Sequence, residues 1–559
     1  MPTRSFNANL KSRWGGKRAK IGTRQSFKKS CPNWITTFNS FGNSAMPTQP
    51  KPGFPRSLVS VRPWLLLLVP PLNPKTLKPT GKNMNTLILK PTDVLFFRDG
   101  RPMEGSLAGH SMAWPLPDVT NHALHAALHR SGLEGHSHRR GRSANYSDHR
   151  DRRYGSLVTA GPFPFRMPDK AAVPGNHADG ANWFFPTPRD LLDNTLSPAL
   201  LPSSACDWPG LSSLPAPLRY AVANRLPPSK DNPTPQWLCK PDFERYINGV
   251  KGEQSKIQNC AKDSAIADME QTIGIAIDPD TGTTGHGEAE GKIYSAQYLR
   301  LREEWCLGLF AETAEKTGSN GDRVDLIQKL IPESGQIVVG GQQRTCRAFR
   351  FTSRAPLPLP AGKTGGFNTA TVDGQTLWLV KWVLLSPAIW PCVEPGKSNR
   401  GTERQPHPGG WLPNWIHPQN GKVLLHIVPP EERRRRRSLN YNSKGYNSNE
   451  NATAIDATLV AAVVPKPIVV TGWALPNAAD NTEGGAKSTH LAVPAGAVYY
   501  FTAASEQDAQ RLAAVLNWHG DDPQGQSVQT IKNRRSTLLG EKGYGLGVCG
   551  TWQFIENVG

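Results

Sequence analysis

The sequence predicts an α+β fold made of two successive strand-and-helix units with long insertions. Three observations predict it. Runs of strand length alternate with two stretches of helical periodicity between residues 84 and 355. A second, less regular series of strands with one well-capped helix fills residues 370 to 559. The chain has 559 residues and is 37% hydrophobic, more than one core uses.

Thr86 to Phe97 reads as a strand interrupted by Pro91, and Arg98-Asp99-Gly100-Arg101-Pro102 as the turn that ends it. A helix follows. Asp118 after Pro117 suits an N-cap, Leu124, Ala127 and Leu128 form an apolar stripe, and Gly132 supplies the stop. The basic segment His136 to Tyr154 reads as a loop, opening an insertion of about residues 133 to 270. Beyond it, Ile273 to Ile277 and Ile293 to Arg302 read as two strands around a Gly-rich turn, with Trp305 to Phe310 continuing the second. Helical spacing returns at Val324, Ile327, Leu330 and Ile331, with Asp322 as cap and Pro332 as break, and Gln336 to Val339 and Arg347 to Phe351 complete the strands. The order strand, helix, strand, strand, helix, strand is that of a ferredoxin-like, or RRM-like, domain.

The second series opens at Leu377 to Ile389, too rich in β-branched and aromatic residues to prefer helix. Strands are expected at Val423 to Val428, Val460 to Val470 and Ala497 to Phe501. Ser505 to Trp518 is a helix capped by Ser505 and striped by Ala509, Leu512, Val515 and Leu516, and Gly547 to Phe554 is the last strand. A second ferredoxin-like domain over 370–559 is the economical reading. A polar loop at about 431–452, holding the run Arg433 to Arg437, interrupts it.

The formal charge of +20 invites a nucleic-acid reading. Residues 1–83 hold 15 Lys or Arg and no carboxylate, however, which leaves 65 − 15 = 50 basic against 45 acidic residues in 84–559. The body is therefore only mildly basic. The extension 1–83, rich in Ser, Asn, Pro and Lys, is expected to be disordered, and an initiation at Met84 would exclude it from the protein. Its apolar run, Trp64 to Val69, is far shorter than the roughly 20 residues that span a bilayer. Eight cysteines are scattered without a CxxC pair, so neither a zinc ribbon nor a disulfide framework follows, and a reduced cytoplasmic compartment is expected.

Several segments, in order, are similar to one known family. They are LKPTDVLFFRDGRP (89–102), WPLP (114–117), GPFPF (161–165), WFFPTPRDLL (183–192), IGIAIDPDTGT (273–283), KIYSAQYLRLRE (292–303), VPAGAVYYF (493–501) and GYGLG (543–547). Together they cover most of residues 84–559 and resemble a Cmr-type (type III-B) CRISPR-associated protein of the RAMP superfamily. The resemblance implies two RRM-like domains and a subunit that caps the 5′ tag of the crRNA beside the large polymerase-like subunit. It implies the crRNA, that large subunit and backbone RAMP subunits as partners, no membrane, no cofactor and no catalytic role.

The Gly-rich element Lys542-Gly543-Tyr544-Gly545-Leu546-Gly547 is the first candidate for RNA contact, because glycines let a backbone approach closely and expose N–H groups. It resembles the C-terminal glycine loop of RAMP proteins; a tight entry into the last strand is the alternative. Arg98 and Arg101 suit bidentate phosphate contact or stacking, with an ion pair from Arg98 to Asp99 or Glu104 as the alternative. His122, His125 and His129 share a helix flank, where they can meet RNA, solvent or a metal, although no acidic residue or cysteine completes a zinc site. Arg139 and Arg140 begin a basic, aromatic stretch suited to phosphate or to solvent. No P-loop, HExxH or GxSxG motif is present, and Asp278, Asp280 and Glu288 are explained by turn chemistry. Two rival functions stay open: a repeat-RNA endoribonuclease with His122 or His125 as base, and a purely structural bridge between subunits.

Overall fold

The computed structural model describes residues 84–554 except 99–106, 110, 134–137, 141–151, 155, 169–179, 192–195, 197–198, 201–213, 224–233, 251–254, 276, 279, 285–292, 314, 318–321, 353–355, 398–402, 430–451, 475–483 and 523–529. The extension 1–83, Arg101 and nearly all of the polar loop at 431–452 thus lie outside the described residues. The mixture of sheets and helices is an α+β architecture.

In chain order the first half contains strand β1 (Asn85–Pro91), helix α1 (Pro117–Arg130), β2 (Val158–Arg166), α2 (Lys240–Asn248), β3 (Ala267–Ile275), β4 (Ile293–Leu301), β5 (Trp305–Glu312), α3 (Leu326–Leu330), β6 (Ser334–Val338) and β7 (Thr345–Thr352). The main sheet has the order β6-β7-β1-β5-β2 and is antiparallel throughout, with Leu87 opposite Leu309 on one side and Arg350 on the other.

Three sequence expectations change here. The neighbour of β5 is β2, a segment the sequence did not offer as a strand because Pro162 and Pro164 interrupt it. Proline lacks a ladder donor, and β2 tolerates it by lying at the sheet edge. The 273–302 hairpin instead forms a separate sheet, β3 against β4, with β4 also pairing in parallel with Leu107–Gly109, and Trp305 onward is an independent strand. The caps differ as well. The N-cap of α1 is Leu116 with Pro117 and Asp118 already inside the first turn, and α3 is capped by Asp325, whose Oδ1 accepts from the Ile327 N–H at 3.0 Å.

The second half contains β8 (Asn368–Val372), β9 (Gln375–Leu384), β10 (Ala457–Val463), β11 (Ile468–Val470), β12 (Trp473–Ala474), β13 (Gly485–Ala486), β14 (His490–Ala492), β15 (Val498–Ala503), α4 (Glu506–Leu516) and β16 (Gly547–Thr551). Its sheet runs β16-β9-β15-β10, again antiparallel, with β8 beside the first half of β9. The expected strand 460–470 is two strands, and the one expected at 423–428 is reduced to His426–Ile427. Ser505 caps α4 as its sequence suggests, accepting from the Asp508 N–H at 3.0 Å.

Strand alternation explains how the halves join. Leu87, Leu89, Leu307 and Leu309 point to one face of the first sheet, where Leu124 and Leu128 of α1 and Leu326 and Ile327 of α3 cover them. Val380, Trp382 and Phe501 do the same in the second sheet beneath Leu512 and Leu516 of α4. The opposite faces, with Ile88, Phe310, Leu379, Val383 and Tyr500, share one cluster with Trp183, Phe243 and Tyr246 from the insertion. Both sheets are thus buried on both faces, which is why their strands read as near-continuous apolar runs. This shared core encloses a charged cluster. The Lys381 ammonium lies 3.4 Å from the Tyr246 ring centroid, and Asp190 accepts from the hydroxyls of Tyr246 (2.7 Å) and Tyr500 (2.5 Å). Burial pulls the Lys381 amine down to about 8, against the opposing pull of Asp190.

Candidate nucleic-acid interface

Helix α1, strand β6 and the ribbon made by β11 with β14 and β12 with β13 enclose a groove of about 880 Å³. Its charge is one-sided. Arg98, Arg130, Lys487 and Lys542 line it, together with His122 and His490, against one carboxylate among the described lining residues, Asp118. That carboxylate sits in the first turn of α1, where the helix dipole favours it, and it accepts a 2.7 Å hydrogen bond from the Tyr544 hydroxyl. Arg98, Arg130 and Lys487, with Lys542 buried in the wall at 2% exposure, outnumber one engaged carboxylate and make a concave positive surface, which concentrates polyanions.

Each element places its side chain for a local reason. Arg98 follows β1, where it forms a bridge with Ser111. His122 lies on α1 beside the buried Ala123 and Leu124. Its Nε2 is buried without a protein partner. Burial, then the charges of Lys542, Lys487 and His125, hold its pKa well below the usual histidine range, so the imidazole is neutral at physiological pH. Lys487 is fixed by its N–H, which donates to the Gly472 carbonyl at 2.8 Å. On the adjacent rung Trp473, 69% exposed, pairs with Ala486. The turn between β6 and β7 forms the opposite rim. Gly340 there has φ of +81°, and a Cβ on it would lie 2.5 Å from the Phe96 carbonyl oxygen, so glycine is required.

The structure thus brings Arg98, His122 and Lys542 of the sequence candidates to one groove, and turns the rest of the glycine loop inward. Tyr544 is fully buried. The N–H groups of Lys542, Gly543, Tyr544 and Gly545 donate to the carbonyls of Leu539, Gly540, Leu539 and Pro387, and that of Leu546 to Ser386 Oγ. These donors are therefore taken within the chain. The glycines serve close packing instead: Cβ atoms on Gly545 and Gly547 would lie 2.0 Å from the Ser536 nitrogen and 2.4 Å from Trp382 Nε1. Lys542 alone of the loop candidates lines the groove.

His125 stands outside the groove, its ring 5.0 Å from that of His129. Arg139 and Arg140 lie on the short strand His138–Arg140, paired with Arg152–Tyr154. Arg130, Lys487, His490 and Trp473 escaped the sequence reading. Lys487, His490 and Trp473 stand in a segment with no basic or aromatic spacing, so no local signal marked them, whereas Arg130 ends the helix that carries the three noted histidines. Among the described residues no three His, Cys, Asp or Glu side chains are grouped to hold a metal ion, and no helix is long and apolar enough to cross a membrane.

No curated protein matches the sequence. Among solved structures, the chain is similar to a component of the type III-B Cmr-beta complex bound to cognate target RNA (14% identity, TM-score 0.30) and to one of the same complex with target RNA and AMPPnP (13%, 0.30). Each alignment covers 74% of this chain and 86% of the other. The family model for CRISPR-associated protein Cas_Cmr3 matches residues 87–552, nearly all of the described structure. The chain belongs to the Cas_Cmr3 family and is a Cmr-type CRISPR-associated protein.

Proposed function

We propose that this chain is a non-catalytic crRNA-binding subunit of a type III-B (Cmr) effector complex in antiviral defence, which holds the crRNA 5′ tag and contacts the large polymerase-like subunit and an adjacent backbone RAMP subunit in the cytoplasm. The observation that carries the reading is the groove, where Arg98, Arg130, Lys487 and Lys542 face one engaged carboxylate among the described lining residues. Lys and Arg at that density neutralise phosphates and release counterions, which supplies most of the affinity in sequence-independent nucleic-acid binding. Family membership supplies the complex. We read both halves as ferredoxin-like domains, because β7-β1-β5-β2 and β16-β9-β15-β10 share the antiparallel order expected of that fold, the first with two helices on one face and the second with α4.

The test is to co-express the chain with its neighbouring genes and a CRISPR array, crosslink, and sequence the bound RNA. Crosslinks from Arg98 or Lys542 to the repeat-derived 5′ tag are expected; crosslinks confined to spacer sequence, or none, overturn the assignment. One observation favours a second reading, a repeat-RNA endoribonuclease: the neutral His122 imidazole has the protonation state of a general base. An unchanged crRNA length with His122→Ala removes it.

A further inference from the structure

The groove carries three features that bulk positive charge does not explain. A tryptophan stands on its rim with 69% of its surface exposed, on a ribbon that also exposes Leu491 (56%) and Val469 (37%). Lys487 follows directly on the residue that pairs with this tryptophan, and both line the groove, which therefore offers an aromatic face and an ammonium on one ribbon. His122, in the same groove, keeps a buried Nε2 with no partner in the chain. A buried polar atom left unsatisfied is costly, and its persistence in a cleft is a sign that a ligand completes it.

The chemistry of that missing partner is narrow. Burial first, and the charges of Lys542 and Lys487 after it, keep the imidazole uncharged, which makes it a poor phosphate ligand beside the Arg98 guanidinium and the Lys487 ammonium of the same groove. A neutral imidazole nitrogen either donates or accepts, according to tautomer. A phosphate oxygen satisfies only the donor form. A ribose 2′-hydroxyl donates and accepts, so it satisfies Nε2 in both forms, and it is the group by which a site tells RNA from DNA. The groove volume of about 880 Å³ is ample for a nucleotide.

Resting on the RNA-binding reading above, we propose that this groove contains a subsite for one unpaired ribonucleotide. Its base stacks on Trp473, its phosphate lies against Arg98 and Lys487, and its 2′-hydroxyl bonds to Nε2 of His122, so that the groove selects RNA over DNA. The recognition is by stacking and sugar, without a requirement for a particular base.

The experiment measures binding of the full chain to labelled single-stranded RNA and to DNA of the same sequence, with each variant's thermal melt as a folding control. The wild type should prefer RNA. His122→Ala should lower RNA affinity about three- to tenfold and leave DNA affinity nearly unchanged, the scale of one hydrogen bond, and His122→Gln, which keeps a donor and an acceptor, should retain part of the preference. Trp473→Ala, at an exposed position, should weaken both polymers about tenfold. Charge removal with Arg98→Ala and Lys487→Ala should weaken both. If the charge variants weaken binding but His122→Ala leaves the RNA-to-DNA ratio intact, or Trp473→Ala has no effect, the subsite is overturned while the RNA-binding groove stands. If the charge variants change nothing, or the wild type binds no RNA, the groove reading itself falls and the subsite with it.

Discussion

The Tyr544 hydroxyl lies 2.7 Å from Oδ1 of Asp118, a contact across 426 residues that ties the glycine loop to the first turn of α1. Asp118 would otherwise stand as a free negative charge in a groove of cations. Tyr544→Phe should therefore cost about 1.5–3 kcal/mol in chemical denaturation, the scale of a hydrogen bond to a charged group. It should also lower RNA affinity slightly, since the released carboxylate repels phosphate. Unchanged values for both would show that the bond neither stabilises the fold nor masks the charge.

Salt dependence offers a separate check on the groove cations. Replacing Lys487 or Arg98 by Ala should flatten the plot of log affinity against log salt by about 0.7 per residue, as expected for single strands. The measurement is a titration with single-stranded RNA across potassium chloride concentrations.

The loop glycines differ in what they exclude. Gly545 has φ of +76° and a Cβ there would strike the Ser536 backbone at 2.0 Å, whereas Gly374 has the same φ with nothing within 4 Å. Gly374→Ala should cost about 1–2 kcal/mol from backbone strain alone. Gly545→Ala should cost clearly more, because the backbone must also move. Comparing the two denaturation midpoints separates packing from conformation.

Acid should weaken the fold through its buried histidines. His519 is fully buried, and its Nε2 accepts from the Gly362 N–H at 2.9 Å. Burial, chiefly, lowers its pKa to about 4. The unfolded chain takes up a proton near pH 6.5, while the folded chain does so only near 4, so stability is complete above about 6.5 and falls through that window by about 3 kcal/mol. His122 contributes in the same direction. Denaturation of His519→Gln across this range should show a shallower pH dependence than the wild type.

Asp190 binds the shared core together. Asp190→Ala leaves two buried hydroxyls without their acceptor and Lys381 without its nearest countercharge, and should cost about 3–5 kcal/mol. Tyr500→Phe removes one bond only and should cost much less. A purification yield and melting temperature for each variant decide the matter.

Much of this was legible in the sequence because it rests on local rules. The Leu124 and Leu128 stripe, the Ser505 cap, the alternation of β1 and the apolar runs of β9 and β15 each follow from period and propensity within a dozen residues. The motifs from LKPTDVLFF to GYGLG pointed to the family for a similar reason, since they are contiguous. Tertiary structure alone decided the rest. That β2 is a strand at all depends on an open sheet edge that tolerates Pro162 and Pro164. Arg98, Arg130, Lys487 and Lys542 meet only because two sheets bury their inner faces against one insertion, which no local pattern encodes. The glycines of 543–547 advertise backbone freedom in the sequence, but whether that freedom serves a ligand or close packing is set by what lies against them. The neutrality of His122 has the same origin, for burial and neighbouring charge are properties of position in space and not of residue type.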